Sequence, residues 1–317
     1  FQMKILVLNL IIKCALLCSL FFSTATLAET TPSSNEDNNK TPSESTQAPE
    51  ETAKTATPSE SKPSIEPKLS EICFNSLKVF PGQHNSKALT EACKKVLALS
   101  SCQSVNGTPI YHYEREGKNH SPKKILAFSL IHGDETNAGV VGRYWMERLE
   151  EIEPRNHWRI VPVLNPDGVK DSTRYNANKI DLNRNFPTKD WDELAAKYWK
   201  LHAQSSPRRF PGSQSGSEPE VKCALQHIEE FKPDFVISIH TPLNVLDFDG
   251  PRVPAPKYNY LPWRSLGHFP GSLGRYMWHE RSTPVLTMEL KNSLPKTNDP
   301  FETLQDLIGT LVKYDIK

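Results

Sequence analysis

Ile125-Leu126-Ala127-Phe128-Ser129-Leu130-Ile131-His132-Gly133-Asp134-Glu135 joins a structural signal to a chemical one. The first seven residues are an apolar run of strand length. The next four place a histidine and a carboxylate three residues apart, with a glycine that lets the loop turn both side chains toward one point. The same order recurs further along. Phe235-Val236-Ile237-Ser238-Ile239 leads into His240, and Val285-Leu286-Thr287-Met288 leads into Glu289. Trp158 to Leu164 is another strand run. Asn137 to Glu150 has helical periodicity, Ser217-Glu218-Pro219-Glu220 is a capping box opening a helix to about Glu230, and Phe301 to Tyr314 closes the chain as a helix. Strands alternating with helices predict an α/β domain with a mixed, largely parallel twisted sheet and helices on both faces. In such sheets ligands bind beyond the carboxyl ends of the strands. His132, His240 and Glu289 all fall there, so they predict one site.

Zinc takes nitrogen and oxygen ligands, and a catalytic zinc keeps three protein ligands and an open position. His132 and Glu135 alone are a common pairing; His240 supplies the third donor. Asn165-Pro166-Asp167-Gly168 is turn chemistry after a strand. Asp181-Leu182-Asn183-Arg184-Asn185-Phe186-Pro187 flanks an arginine with two asparagines, and Arg174 lies a short way upstream. Arginine's planar fork suits carboxylates and developing oxyanions.

Taken in order, His132-Gly133-Asp134-Glu135, Asn165-Pro166-Asp167-Gly168, Asp181 to Pro187, His240 and Thr287-Met288-Glu289 resemble the zinc metallocarboxypeptidase family, over roughly residues 105–317. Arg174-Tyr175-Asn176-Ala177-Asn178, Ser217 to Glu220, His240-Thr241-Pro242-Leu243 and Pro270-Gly271-Ser272-Leu273-Gly274 resemble the bacterial murein peptide amidases within it. Those enzymes cut the γ-D-glutamyl–diaminopimelate bond of peptidoglycan peptides. The resemblance implies that His132, Glu135 and His240 hold one Zn2+ and that Glu289 is the general base that activates water. It implies that Arg174 stabilises the oxyanion, that Asn183 and Arg184 grip the substrate's terminal carboxylate, and that Asp181 orients His132. The digestive members use a mobile tyrosine over the substrate; Tyr258, Tyr260 and Tyr276 are the candidates here, each read in preference as structural. Asp190 to Gly216, with Arg208 and Arg209, reads as a variable surface loop in preference to a wall of the substrate entrance.

The chain has 317 residues, with 38 basic against 37 acidic side chains, which leaves no basic footprint for a nucleic acid. A mean hydropathy of −0.54 excludes a multi-span membrane protein. Residues 1–28 have a secretory signal's layout: Lys4 and Lys13, a short apolar core from Cys14 to Phe22, and small residues up to Ala28. Their length also admits an uncleaved anchor, which Lys13 disfavours. The expectation is an exported protein, periplasmic or secreted, without an integral span after cleavage. Residues 29–68 are rich in Thr, Ser, Pro and Glu and read as a disordered tether. Residues 69–104, with Leu89, Ala92, Val96 and Leu99 at helical spacing, read as an N-terminal helical extension before the catalytic domain at 105–317. Export permits disulfides among Cys73, Cys93, Cys102 and Cys223; a bridge within the first three is the first expectation, and buried free thiols are the alternative.

The expected partner is a peptide, peptidoglycan-derived, with no nucleic acid. A zinc carboxypeptidase acting on DD-, LD- or L-peptides would use the same metal residues. A non-catalytic wall-binding protein would keep the fold without needing the ion. A serine hydrolase is disfavoured because no Gly-x-Ser-x-Gly elbow occurs.

Overall fold

The computed structural model describes residues 68–252 and 254–312. The leader at 1–28 and residues 29–67 of the tether at 29–68 lie outside the described residues. The elements, in chain order, are α1 (Leu69–Leu77), α2 (Ser86–Lys94), β1 (Leu97–Gln103), β2 (Pro109–Arg115), β3 (Lys124–Ser129), α3 (Thr136–Glu151) and β4 (His157–Val161). Next come α4 (Pro166–Asp171), α5 (Trp191–His202), α6 (Pro219–Phe231), β5 (Phe235–His240), β6 (Val245–Asp249), β7 (Val285–Glu289) and α7 (Asp299–Leu311).

The seven strands form one sheet in the order β1-β2-β4-β3-β5-β7-β6. The central strands β4, β3, β5 and β7 are parallel, while β1, β2 and β6 join antiparallel at the two edges. The mixed, largely parallel sheet expected from the sequence is therefore present. β3 shows why both faces are covered. Ile125 and Ala127 enter one apolar core with Trp145, Leu149, Phe301 and Leu304, on helices α3 and α7. Leu126 and Phe128 enter a second core with Val221, Ala224 and Ile228 of α6. Alternate side chains of a strand point to opposite faces, so a run apolar at every position needs a layer on each side.

On the α6 side that apolar pattern gives way to polar residues. Leu286 and Met288 stay in the first core, whereas Thr287 and Glu289 face the other way. β5 behaves likewise: Phe235, Ile237 and Ile239 are core, while Ser238 and His240 line a cavity.

The helical reading of 69–104 holds only to the end of α2. Residues 97–103 form β1, which pairs with β2 and packs under α6. Helical spacing at Val96 and Leu99 misled because edge strand β1 is mostly exposed and lacks a strict alternation. The boundary at 104/105 thus divides a strand from its own hairpin. Two disulfides form, Cys73–Cys93 and Cys102–Cys223. The first fits the expected local bridge; the second ties β1 to α6 across 121 residues of chain. No described helix is long and apolar enough to cross a membrane.

Candidate metal centre and cavity

β3 ends in an unusual backbone turn. Leu130 has φ 51°, a left-handed conformation that leucine rarely adopts. The Ser129 and Leu130 carbonyls accept from Leu164 and Asn165, locking the turn to the end of β4. Gly133 then meets the backbone of Gly168, whose carbonyl carbon would lie 2.0 Å from any added Cβ. The 132–135 and 165–168 loops are therefore one packed unit; a Cβ on Gly168 would in turn meet the Asn165 side chain and Tyr175 O. Asn165 caps α4 by accepting from Gly168 N at 2.9 Å, which bears out the turn reading.

Within this frame three donors converge. His132 Nδ1 is 2.8 Å from Glu135 Oε1, His240 Nδ1 is 3.0 Å from Glu135 Oε2, and the two Nδ1 atoms are 3.1 Å apart. All three residues are buried. The far sides of both rings are engaged, His132 Nε2 with Asp181 Oδ1 at 3.1 Å and His240 Nε2 with Ser238 Oγ at 2.8 Å. Those contacts orient both Nδ1 atoms toward the common point, the usual role of groups behind metal-binding histidines. Ligands held tetrahedrally at zinc distances sit about 3.3 Å from one another. The three observed separations are slightly under that spacing, and two imidazoles with one carboxylate are a zinc-compatible set. The residues fit a zinc ion.

Asp181 is fully buried and serves three groups: His132, Arg174 Nε at 2.9 Å and Asn183 N at 3.1 Å. Burial by itself raises its carboxyl, but Arg174 and His132 outweigh that and hold it well below the usual carboxylate range. Glu135 is lowered in the same way: burial opposes it, and His132 and His240 prevail. Arg174 also reaches Glu135 Oε1 at 3.4 Å, so the guanidinium is paired within the centre while lining the cavity beside it.

A family profile described as zinc carboxypeptidase matches residues 84–250. Murein peptide amidase A of Vibrio campbellii is 33% identical over 199 residues, covering 59% of this chain and 77% of that protein. Among solved structures, bovine thrombin-activatable fibrinolysis inhibitor aligns with a TM-score of 0.55 at 19% identity, covering 77% of this chain and 94% of that one. Carboxypeptidase A of Helicoverpa armigera aligns with a TM-score of 0.51 at 17% identity, covering 77% of each chain. The chain belongs to the zinc carboxypeptidase family. The fold likeness and the metal-capable triad agree with that membership, and the protein is a zinc metallopeptidase.

In this zinc carboxypeptidase a cavity of about 300 Å3 opens beside the triad. Arg174, Asn183, Arg184 and Glu289, to which the resemblance gives substrate or catalytic roles, all line it. Asn183 and Arg184 sit on the single turn Leu182–Arg184, whose amide Asp181 caps. Asn183 Oδ1 accepts from Leu273 N at 2.8 Å, which leaves its amide hydrogens for the cavity. Arg184 stacks on Phe269, 4.6 Å from the ring centre, and meets no carboxylate among the described residues. Glu289 Oε2 accepts from Leu243 N at 3.3 Å, beyond a cis Thr241–Pro242 peptide.

Two expectations are corrected, and one structural reading holds. Residues 190–216 are not a peripheral loop: they contain α5, and Tyr198, Trp199 and Arg209 wall the cavity. Tyr258, Tyr260 and Tyr276 do not line it, as their preferred structural reading has it, and Tyr258 donates to Pro300 O at 2.8 Å. The capping box does not form, because Glu218 rather than Ser217 occupies the N-cap of α6. The carboxylates of Glu218 and Glu220 are turned to Asn176, at 2.7 and 2.9 Å, and fasten the 174–178 loop. Sequence reasoning also passed over Asp247 and Asp249, which line the cavity. Their alternation with Leu246 and Phe248 was the available signal.

Proposed function

We propose that this zinc carboxypeptidase hydrolyses peptidoglycan-derived peptides at the γ-D-glutamyl–diaminopimelate amide bond. His132, Glu135 and His240 would hold one zinc ion. When bound, zinc polarises the scissile carbonyl and makes water available as a nucleophile near neutral pH. Glu289 acts as general base, taking the proton of the attacking water and delivering it to the leaving amine. Arg174 faces the charge that develops on the carbonyl oxygen. Asn183 and Arg184 hold the terminal carboxylate, with two hydrogen-bond donors on one rigid turn, so only the chain's last residue is released. Asp181 keeps His132 and Arg174 in place.

The observation that carries this reading is the placement of Arg184, which forms no ion pair with a carboxylate among the described residues, and of the Asn183 amide in the same cavity as the triad and Glu289. The γ-glutamyl bond itself rests on the likeness to the Vibrio protein. An exported location, periplasmic or secreted, is part of the same proposal. The leader-like residues 1–28 and the two disulfides support it.

The test is mass spectrometry of L-Ala–γ-D-Glu–diaminopimelate incubated with the zinc-loaded chain. Free diaminopimelate should appear with wild type and vanish with chelator. Glu289→Gln should retain zinc and lose activity by about a thousandfold or more. Failure to release diaminopimelate from a zinc-loaded enzyme that cleaves ordinary L-peptides would overturn the bond assignment.

A further inference from the structure

The face of the sheet beneath α6 carries a second set of metal-capable side chains. Cys102 comes from β1, His112 from β2, and Cys223 and His227 from α6. Cys223 and His227 are four residues apart on the helix, so they share one face of it. All four residues are buried. The ligand atoms of Cys102, Cys223 and His227 lie within 4.8 Å of one another, and His227 Nε2 is 3.8 Å from Cys102 Sγ. This set is separate from the zinc centre. In the order of the sheet, β2, β4 and β3 stand between β1 and β5, the strand that carries His240.

His227 is held neutral. Burial drives its pKa down to about 3, and the nearby His112 and Arg159 add to the effect. Neutral imidazole is the form that binds metals. Arg159 NH1 lies 3.5 Å from His227 Nδ1, while Arg159 Nε and NH2 donate to Glu114 Oε2 at 3.0 and 2.8 Å. Arg159 therefore stays anchored on Glu114 when the ring proton sits on Nδ1 and Nε2 is free to bind. His112 packs edge-on against His227, with ring centres 4.8 Å apart. Its Nε2 faces Glu114 Oε2 at 3.6 Å, and its buried Nδ1 meets no hydrogen-bond partner among the described residues. A carboxylate behind one ring nitrogen leaves the other as a lone pair, the arrangement that supports metal-binding histidines. A buried lone pair without a partner carries a cost that a cation would offset.

We infer that Cys102, Cys223 and His227 form a second metal site once the Cys102–Cys223 disulfide is reduced, with His112 available as the fourth ligand. The ligand class is a soft or borderline divalent cation, zinc foremost. The reductant is a dithiol. It gives up two electrons and two protons, the Cys102–Cys223 bond breaks, two cysteine thiols form, and the dithiol closes to its own disulfide. The cation then displaces the two thiol protons. Tetrahedral zinc holds a thiolate sulfur and an imidazole nitrogen about 3.6 Å apart, close to the 3.8 Å already set between Cys102 and His227. Two thiolates also cancel the charge of a divalent cation, which suits a buried site. In the reduced chain the ion ties β1 to α6, as the disulfide does in the oxidised chain.

The experiment compares the full chain in its oxidised form and after reduction with a water-soluble phosphine, which does not itself compete for zinc as a thiol would. Both forms are loaded with zinc, desalted and assayed for metal per chain by elemental mass spectrometry. Reduction should add one zinc per chain to whatever the oxidised form holds. Cobalt loading identifies the ligands: the reduced chain should gain a thiolate-to-cobalt charge-transfer band, to which a centre of two histidines and a glutamate contributes nothing. Cys73→Ser with Cys93→Ser should keep the added ion and the band, and Cys102→Ser with Cys223→Ser should lose both. His227→Gln should weaken the added ion at least about tenfold in chelator competition. Equal zinc in the two redox states overturns the site, and so does an added ion that survives loss of Cys102 and Cys223. If the cysteine variants do not fold, alkylation of reduced wild type supplies the contrast. Zinc should slow modification of Cys102 and Cys223, reversed by chelator, and leave the rates at Cys73 and Cys93 unchanged; equal effects on the two pairs, or none, overturn it.

Discussion

Asp181 shows how one side chain can carry a whole centre. It has no exposed surface, yet it accepts from Asn183 N and Arg174 and engages His132 Nε2. Its charge is kept by two neighbours it in turn keeps in place. Asp181→Asn retains an oxygen but loses the charge and one acceptor. Zinc affinity should fall about 10- to 100-fold, measured by competition with a chelator of known affinity. Unchanged affinity would show that His132 is oriented by the packed 132–135 loop alone. The sequence made His132, Glu135 and Asp181 recognisable as a set. It could not show that Arg174 is shared between Asp181 and Glu135, since that depends on where the 174–178 loop is fastened.

At the scale of an element, α3 holds the N-terminal helices by two buried charges. Arg143 donates to the carbonyls of Leu77, Phe80 and Pro81 at 3.2, 2.8 and 2.9 Å. Glu147 Oε2 accepts from Asn85 N at 3.1 Å. Burial pushes Glu147 up to about 7, against the opposing pull of the Asn85 amide and Arg143. A carboxyl raised on folding binds its proton more tightly in the native state. Its contribution is therefore fully present below its unfolded value and is lost as pH rises toward and through 7. Glu147→Gln removes that titration. Between pH 5 and pH 8 wild type should lose up to about 3 kcal/mol relative to the variant, read by urea unfolding at both values. Parallel stability curves would mean that the fold accommodates ionised Glu147 without cost. Nothing in the amphipathic pattern of α3 announced this: a charged residue on a helix is normally a solvated face, and only the packing of residues 78–85 over it buries Arg143 and Glu147.

Across the whole molecule the two disulfides close loops of very different size, with sequence separations of 20 and 121 residues. Loop-closure entropy predicts that replacing Cys102 and Cys223 together by alanine costs about 4–5 kcal/mol, and replacing Cys73 and Cys93 about 3 kcal/mol. Urea unfolding of the two double variants tests the order. A smaller loss for the longer loop would show that β1 and α6 stay associated in the unfolded chain. The long bridge also explains why β1 belongs to the sheet although its sequence is a weak strand: pairing with β2, contact with α6 and the Cys102–Cys223 link hold an exposed edge that alternation alone does not specify.

The sequence by itself determined the parallel centre of the sheet and the residues beyond its strand ends. Apolar runs at 125–131, 235–239 and 285–288 can be buried only between two layers, and polar residues directly after them must fall at the sheet's carboxyl edge. Residue type and order there marked His132, Glu135, His240 and Glu289, and the family resemblance added Asn183 and Arg184. Tertiary structure alone decided what surrounds them. Tyr198 and Trp199 wall the cavity because α5 folds back over it, and Asp247 and Asp249 enter it because β6 adds antiparallel to β7 in one register. Both depend on contacts between segments distant in the chain, and a shift of one residue in that register would turn the aspartates to the opposite face.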